Sequence, residues 1–308
     1  MAMRILVVGA GAVGGYFGAR LADAGRDVTF LVRARRAAEL RDEGLQVVSP
    51  HGDLRIEPVL RIADQLNETY DVVFLSVKAY TLDQAIGDFA SAVGKETMVL
   101  PMLNGMRHMD ALKNRFGAHN IIGGACRIAS ELDATGRVVQ LNPMQEVLYG
   151  ELSGEVTPRI EALHATMSGA GFDAHIAADA RQAMWDKWVQ LAALGAITNL
   201  FRGSVGDVTA VADGRDLANA IITECATIVR ACGQPSADEF IEAQRRAMTK
   251  EGSSFTSSMF RDLKKGQPVE AESIVGDMVA RGRAHGIAAP LLTAAAVNLR
   301  VYQRSLAS

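Results

Sequence analysis

The sequence predicts an α/β protein in two parts, a doubly wound parallel sheet followed by an all-helical half. Two observations carry this. Up to about residue 179, short β-rich runs alternate with segments of helical spacing, and from residue 180 onward only helical spacing remains. The chain has 308 residues, of which 49% are hydrophobic, enough for two cores at roughly 100–200 residues per domain.

The elements follow in order. Arg4–Val8 is the first strand candidate, and Val13–Ala24 continues with helical spacing. Asp27–Val32 reads as a strand, Arg36–Glu43 as a helix, Asp71–Val77 as a strand, Thr81–Ala92 as a helix and Thr97–Leu100 as a strand. Such alternation implies a parallel sheet. Between Asn120 and Leu152 the texture changes. Gly136–Gln140 and Glu146–Tyr149 read as short strands separated by turn residues, an antiparallel extension. A helix near Arg159–Ser168 and a strand near Phe172–Ile176 complete this part. Beyond it, Ala180–Leu200, Asp216–Cys232, Ala237–Thr249, Val269–His285 and Leu291–Arg304 read as helices. The boundary, 1–179 against 180–308, is a change of texture without a linker, and no internal repeat is present.

Composition excludes several function classes. The net charge is -3, from 32 basic and 35 acidic residues, with no run of one sign, which argues against nucleic-acid and polybasic membrane binding. The N-terminus enters Ile5-Leu6-Val7-Val8 directly and lacks the pattern of a signal peptide. The longest apolar stretch, Trp188 to Phe201, is shorter than the ~20 residues of a membrane span. Cys126, Cys225 and Cys232 form no C-x-x-C pattern, which fits a reducing cytoplasm. The six histidines lie scattered without ligand spacing, so a metal is not expected.

The strongest motif follows the first strand: Gly9-Ala10-Gly11-Ala12-Val13-Gly14, a G-x-G-x-x-G between a strand and a helix. The first glycine permits a tight turn and the second lets backbone approach a pyrophosphate. The third allows close helix–strand packing, and the phosphates rest on the helix N-terminus. This predicts a Rossmann-type dinucleotide site made by Gly9, Gly11, Ala12, Val13 and Gly14. After the second strand, an NAD site would place a carboxylate for the ribose 2′-hydroxyl. The chain instead carries Leu31-Val32-Arg33-Ala34-Arg35-Arg36. Guanidinium groups pair with a 2′-phosphate that a carboxylate would repel. NADP(H) is therefore expected, held by Arg33 with Arg35 or Arg36 assisting. The loops with Lys78 and with Asn104-Gly105-Met106 follow later strands and face the cofactor crevice.

Taken together these motifs resemble the ketopantoate reductase (2-dehydropantoate 2-reductase) family over nearly the whole chain. In the helical half the resemblance includes Trp185-Asp186-Lys187, Ser257-Ser258-Met259 with Asp262, Glu270, and Ala284-His285-Gly286-Ile287 with Pro290. It implies that Lys187 is the catalytic acid, that Asn104 positions substrate and cofactor, and that Lys78 lies close to both. It also implies that Ser258 contacts the substrate carboxylate and that Glu270 bonds within the site. The implied reaction is NADPH-dependent reduction of 2-dehydropantoate to pantoate for coenzyme A biosynthesis.

The residues support parts of this independently. Reducing a 2-keto acid requires a hydride donor, a proton donor for the developing alkoxide and groups that grip the carboxylate. Lys187 sits among Met184, Trp185, Trp188, Leu191 and Leu194. A lysine facing a dry cleft has its charged form disfavoured, whereas a snorkelling lysine merely covers apolar surface. Ser257-Ser258 also fits a helix cap, and Glu270 a helix-dipole partner.

The chain departs from the family at three positions. Leu191 and Gly195, four and eight residues after Lys187, and Phe255, three before the Ser258-Met259 pair, replace asparagines usual in the family. A site built to bind a hydroxyl discriminates strongly for it, and these residues cannot. The substitutions point to a less polar 2-keto acid, with Gln190 available for one hydrogen bond. Other readings are an NADP-dependent hydroxyacid or opine-type dehydrogenase and a non-enzymatic NADP-binding sensor. The sensor would not need Lys187 and Glu270. The apolar faces in Leu217–Val229 fit either a core or a homodimer interface.

Overall fold

The computed structural model describes residues 2–306 and contains two compact units. One is built from the residues up to Leu103 together with His108–Ala183. The other combines Asn104–Arg107 with the residues from Met184 onward.

In the first unit, β1 (Arg4–Val8), α1 (Ala12–Asp23), β2 (Asp27–Leu31), α2 (Ala34–Glu43), β3 (Leu45–Val48), β4 (Leu54–Ile56) and β5 (Val59–Arg61) lead into β6 (Tyr70–Leu75). Then come α3 (Leu82–Phe89), β7 (Val93–Pro101), α4 (Arg107–Phe116), β8 (Gly123–Leu132), β9 (Val138–Gly150), α5 (Pro158–Met167) and β10 (Asp173–Ile176). The main sheet has the order β5-β2-β1-β6-β7, and every neighbouring pair is parallel. The chain runs outward from β1 on one side and returns to β6 on the other. This reversal opens a crevice at the carboxyl end of β1, where doubly wound sheets bind ligands. The strands are buried on both faces, as Ile5, Leu6, Val7, Val72, Val73 and Phe74 show. Phe17 of α1 anchors the core, its ring 6.2 Å from Phe74 and 5.0 Å from Phe172.

The antiparallel extension differs from its expected form. Residues 138–140 of the first expected piece and all of Glu146–Tyr149 belong to one long strand, β9, antiparallel to β8 and parallel to β3 and β10, whereas Gly136 lies in the turn before it. Its register with β8 breaks between Ile128 and Ser130, and residues 141–144 of β9 have no strand partner among the described residues. Pro143 lies in that stretch, where it costs no ladder hydrogen bond. The short strands β3, β4 and β5 and the helix α4 were not expected.

The second unit takes most of α6 (Ala180–Leu200), whose bounds match the expected helix, then α7 (Val205–Thr209), α8 (Gly214–Ala231) and α9 (Asp238–Met248). It ends with α10 (Ser258–Lys264), α11 (Asp277–Ala284) and α12 (Pro290–Ser305). The expected helix Val269–His285 is present as a continuous helical run over residues 271–284, but its first part, Glu272–Gly276, is a π-helical turn leading into α11. The core packs Trp188, Ile197, Ile222, Cys225, Val275, Met278 and Leu299. Ala218, Ile221, Ile222, Cys225, Ile228 and Val229 of α8 are buried, so this face is core. Burial pushes the Cys225 thiol up, leaving it an inert packing group. No helix of the described residues is long and apolar enough to cross a membrane.

Candidate functional site

The first unit contains the glycine-rich turn. Gly9 has φ +95°, a left-handed conformation that favours glycine, and its N–H donates to the Leu31 carbonyl at 3.0 Å. A Cβ on Gly11 would meet nothing within 4 Å, so this glycine opens onto unfilled space at the start of α1. A Cβ on Gly14 would collide with the Gly9 carbonyl oxygen and the Ser76 hydroxyl. Ser76 Oγ in turn donates to the carbonyls of Val8 and Gly9, at 3.1 and 3.0 Å. The three glycines thus have three different physical roles. No side chain caps α1, and no acidic residue lies in its first turn. Its first-turn N–H groups and the positive end of its dipole suit a pyrophosphate.

At the end of β2, Arg33 is the N-cap residue of α2, exposed, with its guanidinium donating to Gln84 Oε1 at 3.1 Å. The neighbouring arginines are not equivalent. Arg36 is half-buried and committed to structure, donating to the Gly136 carbonyl at 2.8 Å and to Glu39 at 3.1 Å. Arg35 is 93% exposed and lies 3.4 Å from Glu39. Lys78 is exposed and opens the turn after β6, its carbonyl accepting from both the N–H and the hydroxyl of Thr81.

The second unit contains the other group. Asn104 Nδ2 donates to Glu270 Oε2 at 3.3 Å, although the two lie 166 residues apart. Glu270 is buried, and its carbonyl accepts from Ile274 N at 3.2 Å and Ser273 Oγ at 3.2 Å. Gly105 has φ +82°, and a Cβ there would collide with the Ser273 carbonyl. The Asn104 loop can therefore lie against the Glu270 turn only with glycine behind it.

Lys187 is half-buried on α6, between the buried Trp185 and Trp188. The Trp188 indole N–H donates to the Ile274 carbonyl at 2.9 Å, which joins the lysine helix to the Glu270 turn. Asp186 accepts from Ser236 Oγ at 2.6 Å. Of the serine pair, Ser257 is the cap. It is buried, and its hydroxyl accepts from Phe260 N at 3.1 Å and bonds Thr198 Oγ1 at 2.8 Å. Ser258 is the first residue of α10 and half-buried.

Two of the three departures have a structural setting. Gly195 is covered by Met259, whose methyl occupies the volume a side chain at 195 would take. Leu191 is half-buried on the same helix, whereas Phe255 is 40% exposed. Gln190 is half-buried. Sequence reasoning treated Trp188 only as an apolar neighbour of Lys187, and Met259 only as part of the Ser257-Ser258-Met259 motif. The signal for Trp188 was the need of a buried indole N–H for an acceptor. Among the described residues, no cluster of three His, Cys, Asp or Glu is placed to hold a metal ion.

Comparison with known proteins gives a consistent result. Residues 5–154 match the model of the family Ketopantoate reductase PanE/ApbA, and residues 179–303 match that of its C-terminal domain. The uncharacterized oxidoreductase YkpB of Bacillus subtilis is 36% identical over 301 residues, covering 98% of this chain and 99% of that one. The crystal structure of 2-dehydropantoate 2-reductase from Geobacter metallireducens superposes with a TM-score of 0.86 at 30% identity, over 97% of this chain and 99% of that one. A D-mandelate dehydrogenase solved with NADH and anilino(oxo)acetate shares the fold, with a TM-score of 0.88 at 21% identity, over 99% of this chain and all of its own.

Proposed function

This chain belongs to the ketopantoate reductase family of oxidoreductases, and from that premise we propose that it reduces a 2-keto acid to the 2-hydroxy acid with NADPH. The family reaction, 2-dehydropantoate to pantoate, is the first reading. The observation that carries the proposal is the Asn104–Glu270 hydrogen bond, formed on a turn that Trp188 ties to the helix of Lys187.

When bound, NADPH supplies the hydride. The G-x-G-x-x-G turn fits its pyrophosphate, because Gly11 leaves room for it and α1 has no side-chain cap. Arg33 pairs with the 2′-phosphate, and Lys78 lies at the carboxyl edge of the same sheet. The Lys187 ammonium donates a proton to the carbonyl oxygen as charge develops on it. Asn104, held by Glu270, orients the substrate carbonyl, and Ser258 binds the carboxylate. Hydride at carbon and proton at oxygen together give the 2-hydroxy acid.

A second reading, a less polar 2-keto acid, is favoured by Gly195 beneath Met259 and by Leu191. These provide methyl groups where amides would grip a hydroxyl. The fold alone does not choose, since the D-mandelate dehydrogenase has it too. The test is NADPH consumption with 2-dehydropantoate beside a panel of unhydroxylated 2-keto acids. A clear preference for 2-dehydropantoate selects the first reading, and preference for an unhydroxylated acid selects the second. Failure to oxidise NADPH with any 2-keto acid would remove both.

A further inference from the structure

Trp188 lies beside Lys187 in sequence, yet its polar atom faces away from α6. Its side chain is fully buried, and the indole N–H donates to the Ile274 carbonyl at 2.9 Å. Ile274 belongs to the π-helical turn Glu272–Gly276, which begins two residues after Glu270. The same nitrogen would lie 3.8 Å from a Cβ on Gly105, so the indole edge lies near the loop that begins with Asn104. One side chain therefore bonds the turn that follows Glu270 and lies near the Asn104 loop, from a position adjacent to Lys187.

The ring itself is clamped. Trp185 and Trp188 are 5.3 Å apart, and the Arg281 guanidinium lies 5.5 Å from the Trp188 ring and 5.6 Å from that of Trp185. Arg281 Nε donates to Asp277 Oδ2 at 3.1 Å, which fixes the guanidinium to the first turn of α11. On the outer side, Arg300 makes a two-pronged pair with Glu272, at 2.6 and 2.8 Å. The π-turn is thus held from both sides.

A π-turn contains one residue more than the α-helical path. Relaxing it to an α-helix would rotate the preceding segment by about 100° and shift it by ~1.5 Å. Such a rotation would carry Glu270 away from Asn104. We propose that Trp188 is a positioning residue for the reduction, its indole N–H holding the π-turn so that Glu270 stays against Asn104. This rests on the reading of Lys187, Asn104 and Glu270 given above.

The test uses the full chain with NADPH and the 2-keto acid it turns over fastest. Trp188 is replaced by benzothienylalanine, which keeps the ring outline and substitutes sulfur for the N–H, and in parallel by Phe. The proposal expects kcat to fall about tenfold or more, with the keto acid KM and NADPH affinity held within about twofold. It also expects the pH profile of kcat to change shape, because a displaced Glu270 is no longer bonded by Asn104. A residue that only fills space would lower thermal stability without moving the profile. If the Phe variant does not fold, the benzothienylalanine protein decides. Native kcat and an unchanged profile in that protein overturn the proposal. A Lys187→Ala control separates the two levels. If it is inactive while the benzothienylalanine protein is normal, only the Trp188 role fails. If it is fully active, the underlying reading of the site fails.

Discussion

The choice of NADPH over NADH is predicted to rest chiefly on the Arg33 guanidinium, and Arg33→Ala tests it. Arg36 is tied to Gly136 and Glu39, which leaves the exposed Arg35 as the arginine able to assist Arg33. A charge-assisted hydrogen bond contributes about 1.5–3 kcal/mol. Arg33 is exposed and screened, so the lower part of that range applies. About 1.5–2 kcal/mol corresponds to a roughly 10- to 30-fold rise in the NADPH Kd. NADH, which lacks the phosphate, should bind within about twofold of its native affinity. In the folded protein, Arg33 loses only its surface bond to Gln84, so Tm should hardly move. Isothermal titration with both cofactors at two salt concentrations measures all of this. The loss for NADPH should be greater at the lower salt. Equal affinity of the native protein for NADPH and NADH, or parallel losses in the variant, would refute the assignment.

Three further outcomes follow from the geometry. Gly11→Ala should leave Tm nearly unchanged, because its Cβ enters open space, yet weaken NADPH at least about tenfold. Gly14→Ala should weaken NADPH and also destabilise the fold by about 1–3 kcal/mol, because its Cβ meets Gly9 and Ser76. Equal Tm for the two variants contradicts this account of the glycines. Gly195→Asn combined with Met259→Ala should raise the preference for a hydroxylated over an unhydroxylated 2-keto acid, and Gly195→Asn alone should not, since Met259 fills the space. Glu151→Gln should cost about 2–3 kcal/mol in denaturant unfolding, since Glu151 takes two bonds from Arg159 and one from Thr157. The Arg159 hydrogen bond holds the Glu151 carboxyl below its usual range of about 4.5. Its contribution to stability is therefore complete above that pH and is lost as pH falls through the lowered value. A Glu151→Gln variant equally stable at neutral pH would contradict this.

Much of the fold was readable because its signals are local. The strand Arg4–Val8 and the helix Ala180–Leu200 have the expected bounds, since each is a continuous pattern between clear breaks. The strands β3, β4 and β5 escaped because three or four residues are too few to show alternation. Asn142-Pro143 resembles a turn, and only the pairing on either side shows that it interrupts a single strand. The π-turn was invisible because one extra residue does not disturb the apolar spacing of Val269–His285. At the candidate site, the glycine-rich turn after β1 and the place of Arg33 after β2 could be read from adjacent residues. The meeting of Asn104 with Glu270 could not, since spacing says nothing across 166 residues, and only the family resemblance suggested it. The role of Ser257 as cap was one of two readings of the Ser-Ser pair, and burial distinguishes it from Ser258.

The central claim is that Lys187 donates the proton in a 2-keto acid reduction, and the most direct measurement is NADPH oxidation by the native protein and by Lys187→Ala. The account predicts turnover by the native enzyme and a loss of kcat of about a hundredfold or more in the variant, with NADPH still bound at native affinity. A Lys187→Ala enzyme that turns over near the native rate would contradict it.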